Sequence, residues 1–427
     1  MKSPFKFLDS FTKEDRNIFF GRDNETEELY SRCFESKILL VYGISGTGKT
    51  SLINCGLANK FEDSDWLPIN IRRGANINES LWKSIEKYSL TQNEKIPASA
   101  GMTEQGSVIP EEAQRISGIH KKKKLQSLYL DHFKPIYLIF DQFEELFIFG
   151  NEEERNEFIQ TIKKVVESDI QCKFIFVIRE EYLASVTEFE AEIPEFLANR
   201  LRIEKMNRQN AKQAIEGPCQ FAKIELEEGF SDALLDKLSP KTKGIELTYL
   251  QVFLDKIYRT ACSELSPPGG SVRRTKGELQ TPTNQLKFTI TLLSQLGDVS
   301  DLLGSFLEEQ ISELEDPDCG LVILKSFVSV KGTKRQITEE EVLDYTKTLG
   351  KNIAPEELKA LIQKFISLRI LRDKDESGRY ELRHDALAAK IYEKLSLVEK
   401  EMMDVKEFLE FALTNYEKRG VWLNEND

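Results

Sequence analysis

The chain has 427 residues, enough for several domains with substantial cores, and a formal net charge of -13. That acidic balance argues against broad binding to nucleic acid or anionic membranes, both of which need a basic surface. Six scattered cysteines without close pairs, and three histidines, supply neither a disulfide framework nor a zinc site, so a reducing cytoplasm is the expected setting.

No apolar run reaches the length of a bilayer span. The N-terminal MKSPFKFLDSFTKEDR has charges where a signal peptide needs an apolar core. Residues 1–36 are polar and helix-compatible, with an apolar-aromatic knot at Ile18-Phe19-Phe20 that runs into Gly21-Arg22-Asp23. A glycine and an arginine after two aromatics could line the base and ribose of a nucleotide, and core packing is the plainer reading.

The informative stretch follows at once. In Lys37–Leu52, KILLVYGISGTGKTSL, a short apolar run predicts a buried strand, and a loop with three glycines leads into a helix start. Gly43, four residues, Gly48, Lys49 and Thr50 make the full P-loop pattern. Its glycines let consecutive backbone N–H groups face one anion, and the helix N-terminus adds a positive dipole end. The loop (Gly43, Ser45, Gly46, Thr47, Gly48) and Ser51 would wrap the phosphates. Lys49 would reach the β- and γ-phosphates, and the Thr50 hydroxyl would ligate Mg2+.

Trp66–Arg72 then reads as a strand and Glu79–Leu90 as a helix. Thr91–Gly118 has no periodicity and predicts a flexible surface insertion, closed by the lysine run Lys121–Lys124. Ile136–Phe140 is a fully apolar strand ending on Asp141. An acid at the carboxyl end of a buried parallel strand faces the crevice where such sheets bind nucleotides, so Asp141 is the natural Mg2+ ligand acting through a water or from behind the ion's direct ligands. One turn on lie Glu144 and Glu145, either of which could deprotonate the attacking water. Glu152–Glu167 is a charged amphipathic helix. Lys173–Ile178 is a third buried strand, ending on Arg179, where a γ-phosphate sensor or a plain surface arginine would sit.

Arg200–Met206 alternates like a last strand, and Asn207 caps the helix Gln209–Ile215, which Gly217-Pro218 is expected to interrupt. From there the pattern is helical: Ser231–Leu238, Leu247–Tyr258 and, after the Pro/Gly/Ser/Thr-rich Ser263–Asn284, Thr289–Leu314. Leu321–Val330, Thr338–Thr346 and Pro355–Leu368 predict three more helices. Ile370–Arg383 predicts a hairpin turning at Ser377-Gly378, so that three helices and a wing make a winged-helix domain, ending with His384-Asp385 and the helix Ala386–Leu395. Val398–Glu417 is one more helix.

Taken together, these residues resemble the STAND class of signalling P-loop ATPases, and most closely its bacterial novel STAND NTPase group. The likeness rests on Phe20-Gly21-Arg22, Gly43–Ser51, Asp141-Gln142-Phe143-Glu144-Glu145 and Val177-Ile178-Arg179. Glu216-Gly217-Pro218, Leu250-Gln251 and Leu382-Arg383-His384-Asp385 follow in order, so that it spans about Ser3 to Leu395. The resemblance implies that Lys49 and Thr50 are the phosphate and Mg2+ residues and Asp141 the Walker B acid. It places Glu144 at the water-activating position with Glu145 beside it, and makes Arg179 similar to the sensor arginine. His384 resembles the winged-helix histidine that holds the β-phosphate of ADP and locks a closed state. Exchange of ADP for ATP would then open the chain and license self-association. Two departures stand out: Gln142 replaces a small residue of several STAND branches, and Ile245–Thr248 lacks a proline common before the Leu-Gln pair. Family members usually carry an effector before the ATPase and repeats after the winged helix, so the chain is expected to be a fragment or to draw its trigger and effector from partners.

The expected fold is α/β, a three-layer P-loop NTPase sandwich with a parallel sheet, followed by helical and winged-helix domains. Its boundaries are 1–206 for the P-loop domain (91–120 the insertion), 207–262 helical, 263–285 linker, 286–397 helical and winged-helix, and 398–427 the last helix. The rivals are a DNA-acting ATPase of the origin-binding or loader type and a nucleotide-binding scaffold without turnover. Nine Lys/Arg against eight Asp/Glu between Ile353 and Leu395 give the first no phosphate-binding stripe.

Overall fold

A computed structural model of the chain describes residues 3–93, 123–238, 244–265, 286–296, 302–374 and 378–419. The chain divides into two compact units. One comprises Ser10–Leu247 with Lys276–Phe288, and the other Met1–Asp9, Thr248–Thr275 and Thr289–Asp427.

The first unit is built on five parallel strands, β1 (Ile38–Gly43), β2 (Leu67–Ile71), β3 (Ile136–Phe140), β4 (Cys172–Arg179) and β5 (Arg200–Arg202), in the order β2-β3-β4-β1-β5. The central strands are apolar throughout because both faces are covered, and the alternation assigns each residue to a face. Ile38 and Leu40, Leu138 and Phe140, Phe174 and Phe176 share one core with Phe143, Phe158, Phe189 and Phe196. Leu39 and Val41, Tyr137 and Ile139, Ile175 and Val177 share the other with Leu52, Leu57, Phe61 and Trp66. Edge strand β2 carries Pro68, which an edge tolerates and a central strand does not.

The helices of this unit are α1 (Asp23–Glu35), α2 (Lys49–Ser51), α3 (Ile77–Asn93), α4 (residues 123–132), α5 (Glu145–Phe149), α6 (Glu152–Val166), α7 (Thr187–Glu192), α8 (Arg208–Phe221) and α9 (Phe230–Leu238). α2 runs on through a π segment, Leu52–Gly56, and a 3-10 turn, Leu57–Asn59. Two expectations are corrected. Strand β5 stops at Arg202, where its ladder with β1 ends. And α8 passes straight through Gly217-Pro218 to Phe221, with Ala222 and Ile224 donating back to the carbonyls of Pro218 and Cys219. Only the amide of residue 218 is forfeited, and burial of Ala211, Ala214, Ile215, Pro218 and Cys219 outweighs that loss.

The second unit is helical: α10 (Leu247–Leu265), α11 (Ile290–Gln295), α12 (Leu302–Ser312), α13 (Pro317–Ser326), α14 (Glu339–Thr348), α15 (Pro355–Ser367), α16 (Asp385–Glu393) and α17 (Leu397–Arg419). Antiparallel bridges Ile337–Tyr380 and Leu371–Leu382 lie between α15 and α16 and beside α14. Within this unit the N-terminal segment is pinned by an Arg383–Asp9 ion pair, by Lys6 N–H donating to Gln251 Oε1 (3.1 Å), and by Phe7 packing on Phe306 (5.2 Å between centroids). The expected insertion beyond Asn93, the linker from residue 266 and Ser377 of the expected turn lie outside the described residues.

Candidate active site

The carboxyl ends of β1, β4, β3 and β2 open side by side at one edge of the sheet. Gly43 is in register with Arg179, and the Asp141 N–H donates to Ile71 O at 3.1 Å. Chemistry-bearing side chains emerge in a row along that edge, as a parallel sheet requires.

The loop from Gly43 to Gly48 is held in shape from within. Thr47 is buried, and its hydroxyl donates to Ile44 O at 3.0 Å. Gly48 enters the helix at φ +85°, a left-handed conformation in which a side chain would be strained. Lys49 Nζ donates to Gly43 O (2.7 Å) and Ile44 O (2.9 Å), so its ammonium lies against the loop. The Ser51 hydroxyl accepts the N–H of Phe11 at 3.1 Å. Ser45 and Gly46 form the crest of the loop, Gly46 also at positive φ.

Thr50 Oγ1 lies 3.0 Å from Asp141 Oδ1 and 3.2 Å from Oδ2. Asp141 also meets Arg72, whose Nη2 is 3.5 Å from Oδ2. Beyond Asp141 the chain turns sharply. Gln142 sits at φ +59° and donates its N–H to Asp141 Oδ1 (3.1 Å), while the Phe143 N–H reaches Val177 O (2.9 Å). Glycine, having no Cβ, adopts such a backbone without cost, whereas Gln pays of order 1 kcal/mol there. The turn plants Phe143 in the aromatic core and delivers Glu144 to β4. The Glu144 carboxylate is buried and spoken for on both oxygens: Oε1 lies 3.0 Å from Arg179 Nε, and Oε2 accepts the Arg179 N–H at 3.2 Å. Glu145, also buried, opens α5 beside it.

Phe20-Gly21-Arg22 fastens this loop to α8. The Phe20 ring lies so close to Gly217 that a Cβ there would stand 2.5 Å from it. Gly21, at φ +80°, passes where a Cβ would stand 2.3 Å from Asn210 O. Arg22 is buried; its Nη2 donates to Thr47 O and Glu204 O, both at 2.9 Å, and Nη1 pairs with Glu25. This guanidinium therefore braces the phosphate loop against the exit of β5. Arg22→Ala is expected to lower unfolding stability by about 3 kcal/mol, because it orphans two carbonyls and Glu25; urea denaturation with and without ADP measures it.

His384 belongs to the second unit, where it caps α16. Its Nδ1 accepts the Ala386 N–H at 3.1 Å, which leaves the proton on Nε2, 3.2 Å from Thr248 Oγ1. Sequence reasoning missed Arg72. The signal was present, since it is a cation ending a strand next to the acid-tipped one, the same rule that selected Arg179.

The oxygen pair Thr50–Asp141 is the donor set that Mg2+ takes together with substrate phosphates and water. Among the described residues no group of three or more His, Cys, Asp and Glu forms a metal cage. No helix among the described residues is long and apolar enough to cross a membrane.

A parallel five-stranded sheet with a P-loop after β1 and an acid closing β3 defines a P-loop NTPase. The profile of the family described as Novel STAND NTPase 1 matches residues 4–419, and the chain belongs to that family. No curated protein matches it. Among solved structures it is similar to the Walker-type ATPase of Pyrococcus abyssi (13% identity, TM-score 0.44, covering 91% of this chain and 99% of that one). It is also similar to the Aeropyrum pernix Orc1 protein in complex with DNA (14%, 0.43, 88% and 93%) and to the Thermotoga maritima RuvB branch-migration motor (10%, 0.35, 88% and 95%).

Proposed function

We propose that the chain is an ATP-hydrolysing STAND switch, in which exchange of ADP for ATP controls domain opening and self-association, and slow hydrolysis resets it. The observation that carries this reading is the Glu144–Arg179 pair at the edge shared with Lys49, Thr50 and Asp141. Backbone N–H groups of residues 45–50 and the Lys49 ammonium bind the triphosphate, with Phe20 and Gly21 toward its base and ribose. Thr50 and Asp141 hold Mg2+, which when bound neutralises part of the phosphate charge. Arg72 restrains the Asp141 carboxylate. Arg179 is the γ-phosphate sensor, and a terminal phosphate dianion is a stronger partner for it than one carboxylate. As Arg179 turns to the phosphate, Glu144 gives up its guanidinium and becomes basic enough to take a proton. Water then attacks the γ-phosphorus, its proton passes to Glu144, and the bridging oxygen leaves with ADP. An acid locked to its sensor until the γ-phosphate arrives suits a timer better than a fast enzyme.

His384 reports on the nucleotide in this reading. In this reading its Nε2–H, now 3.2 Å from Thr248 Oγ1, would serve a β-phosphate oxygen instead, while Nδ1 keeps the α16 cap. The test is the release of a fluorescent ADP analogue after mixing with excess ADP. His384→Ala should release it roughly tenfold faster or more, the worth of one charge-assisted hydrogen bond. An unchanged rate removes the histidine from the switch. A nucleic-acid partner is disfavoured by the charge balance of residues 353–395.

A further inference from the structure

Arg72 and Asp141 follow Ile71 and Phe140, which are partners in the parallel ladder of β2 and β3. Their side chains therefore leave adjacent strand ends at the same level. The residue after Arg72 is anchored independently. Arg73 gives Nε to Glu154 Oε1 at 3.0 Å and Nη2 to Glu154 Oε2 at 2.7 Å, and Oε1 also accepts the Ile77 N–H at 2.7 Å. The Ser80 hydroxyl donates to Arg73 O at 2.7 Å, and the Arg73 and Glu154 side chains are only 10% and 4% exposed. Two consecutive arginines thus take different partners. Arg73 bolts the exit of β2 to α6, and Arg72, fixed between that bolt and the ladder, is presented to Asp141. The oxygens of Asp141 are unequally used. Oδ1 accepts the Gln142 N–H and faces Thr50, while Oδ2 faces Thr50 and carries Arg72 at 3.5 Å.

We propose that Arg72 is a resident counter-cation of Asp141 that opposes the metal, so that Asp141 becomes available to Mg2+ only when a bound nucleotide adds its negative charge. The proposal rests on the reading of Thr50 and Asp141 as the Mg2+ oxygens, and adds what controls their affinity. A guanidinium beside a carboxylate cancels part of its field, and a divalent ion brought to the same carboxylate meets that guanidinium as a like charge. The Arg72–Asp141 pair is also the looser of the two arginine pairs. It spans 3.5 Å against 2.7 Å for Arg73–Glu154, and its side chains keep 25% and 13% of their exposure. It is therefore the pair that can open, while the Arg73 bolt holds the backbone in place. Arg72 acts on the ion through Asp141 and makes no contact with the nucleotide.

The test is the affinity of the full chain for a fluorescent ADP analogue in EDTA and in saturating Mg2+, with the ratio of the two as the readout. Arg72→Gln removes the charge and leaves a polar amide. It should raise the advantage given by Mg2+ roughly tenfold, the size of effect that partners of metal-ligating carboxylates have, and leave the EDTA affinity within about threefold. Arg72→Ala should shift the ratio the same way. Arg72→Lys keeps a cation and should hold the ratio within about threefold of the unmodified chain. A ratio unchanged in both Arg72→Gln and Arg72→Ala overturns the proposal. So does a ratio that falls, because an arginine that only orients Asp141 would help the ion. Equal weakening in both buffers also overturns it, being the mark of an arginine that grips a phosphate. Lys49→Ala separates the exchange from the site. If the analogue still binds that variant, the loop is not the phosphate site and the exchange falls with it, whereas lost binding there with an unchanged Arg72→Gln ratio overturns the exchange alone.

Discussion

Lys49→Ala is expected to abolish nucleotide binding, weakening ADP and ATP by roughly a hundredfold or more, about 3 kcal/mol. In the structure Lys49 turns back onto its own loop. Its ammonium is held by two neutral carbonyls of its own loop, Gly43 O and Ile44 O. A phosphate dianion is a stronger partner than either carbonyl, worth about 1.5–3 kcal/mol per charge-assisted bond. Removing the amine takes away the one cation that reaches both the β- and γ-phosphates from within the loop, and the loop's backbone N–H groups do not replace its charge. The fold should survive, because the loop keeps its Thr47–Ile44 bond and the Arg22 brace. Isothermal titration with ADP measures the loss, and an unchanged melting temperature in the absence of nucleotide assigns it to binding. Retained ADP affinity would remove this loop from the site.

Glu144→Gln is expected to leave ATP binding intact while slowing hydrolysis by about 10²–10⁴-fold, the range a general base supplies. The amide keeps the shape of the carboxylate and can still accept the Arg179 N–H, so the turn after Asp141 is preserved. It cannot take a proton from water. Losing the buried ion pair will also cost stability, on the order of 1–3 kcal/mol, so turnover must be compared well below both melting temperatures. Single-turnover hydrolysis with enzyme in excess isolates the step. Glu145→Gln should change it less than threefold; if that variant carries the slowdown, the base has been assigned to the wrong neighbour.

Much of this site was legible because its chemistry is local. Gly43 to Thr50 is a contiguous pattern, and the acid and the arginine close apolar strands, so strand ends alone place Asp141 and Arg179 at one edge. The partnership of Glu144 with Arg179 was not legible. It depends on the positive φ at Gln142, a conformation that a glutamine does not announce, and on β4 lying between β1 and β3, which no spacing records. The bracing role of Arg22 was hidden for the same reason, since its acceptors, Thr47 O and Glu204 O, are backbone atoms from two distant segments. Helix α8 misled in the other direction. Gly217-Pro218 carries the local mark of a helix end, yet the glycine is there because the Phe20 ring fills the space a side chain would need. Local propensity lost to packing that only the folded chain reveals.

Phe143 stands between Asp141 and Glu144, and its ring packs 4.7 Å from Phe176, 5.5 Å from Phe189 and 5.8 Å from Phe158. Both carboxylates therefore hang from a single rivet set in a floor of stacked rings. Drift of one drags the other, so a substitution in the aromatic floor should shift the proposed metal-holding and proton-accepting acids together rather than one at a time.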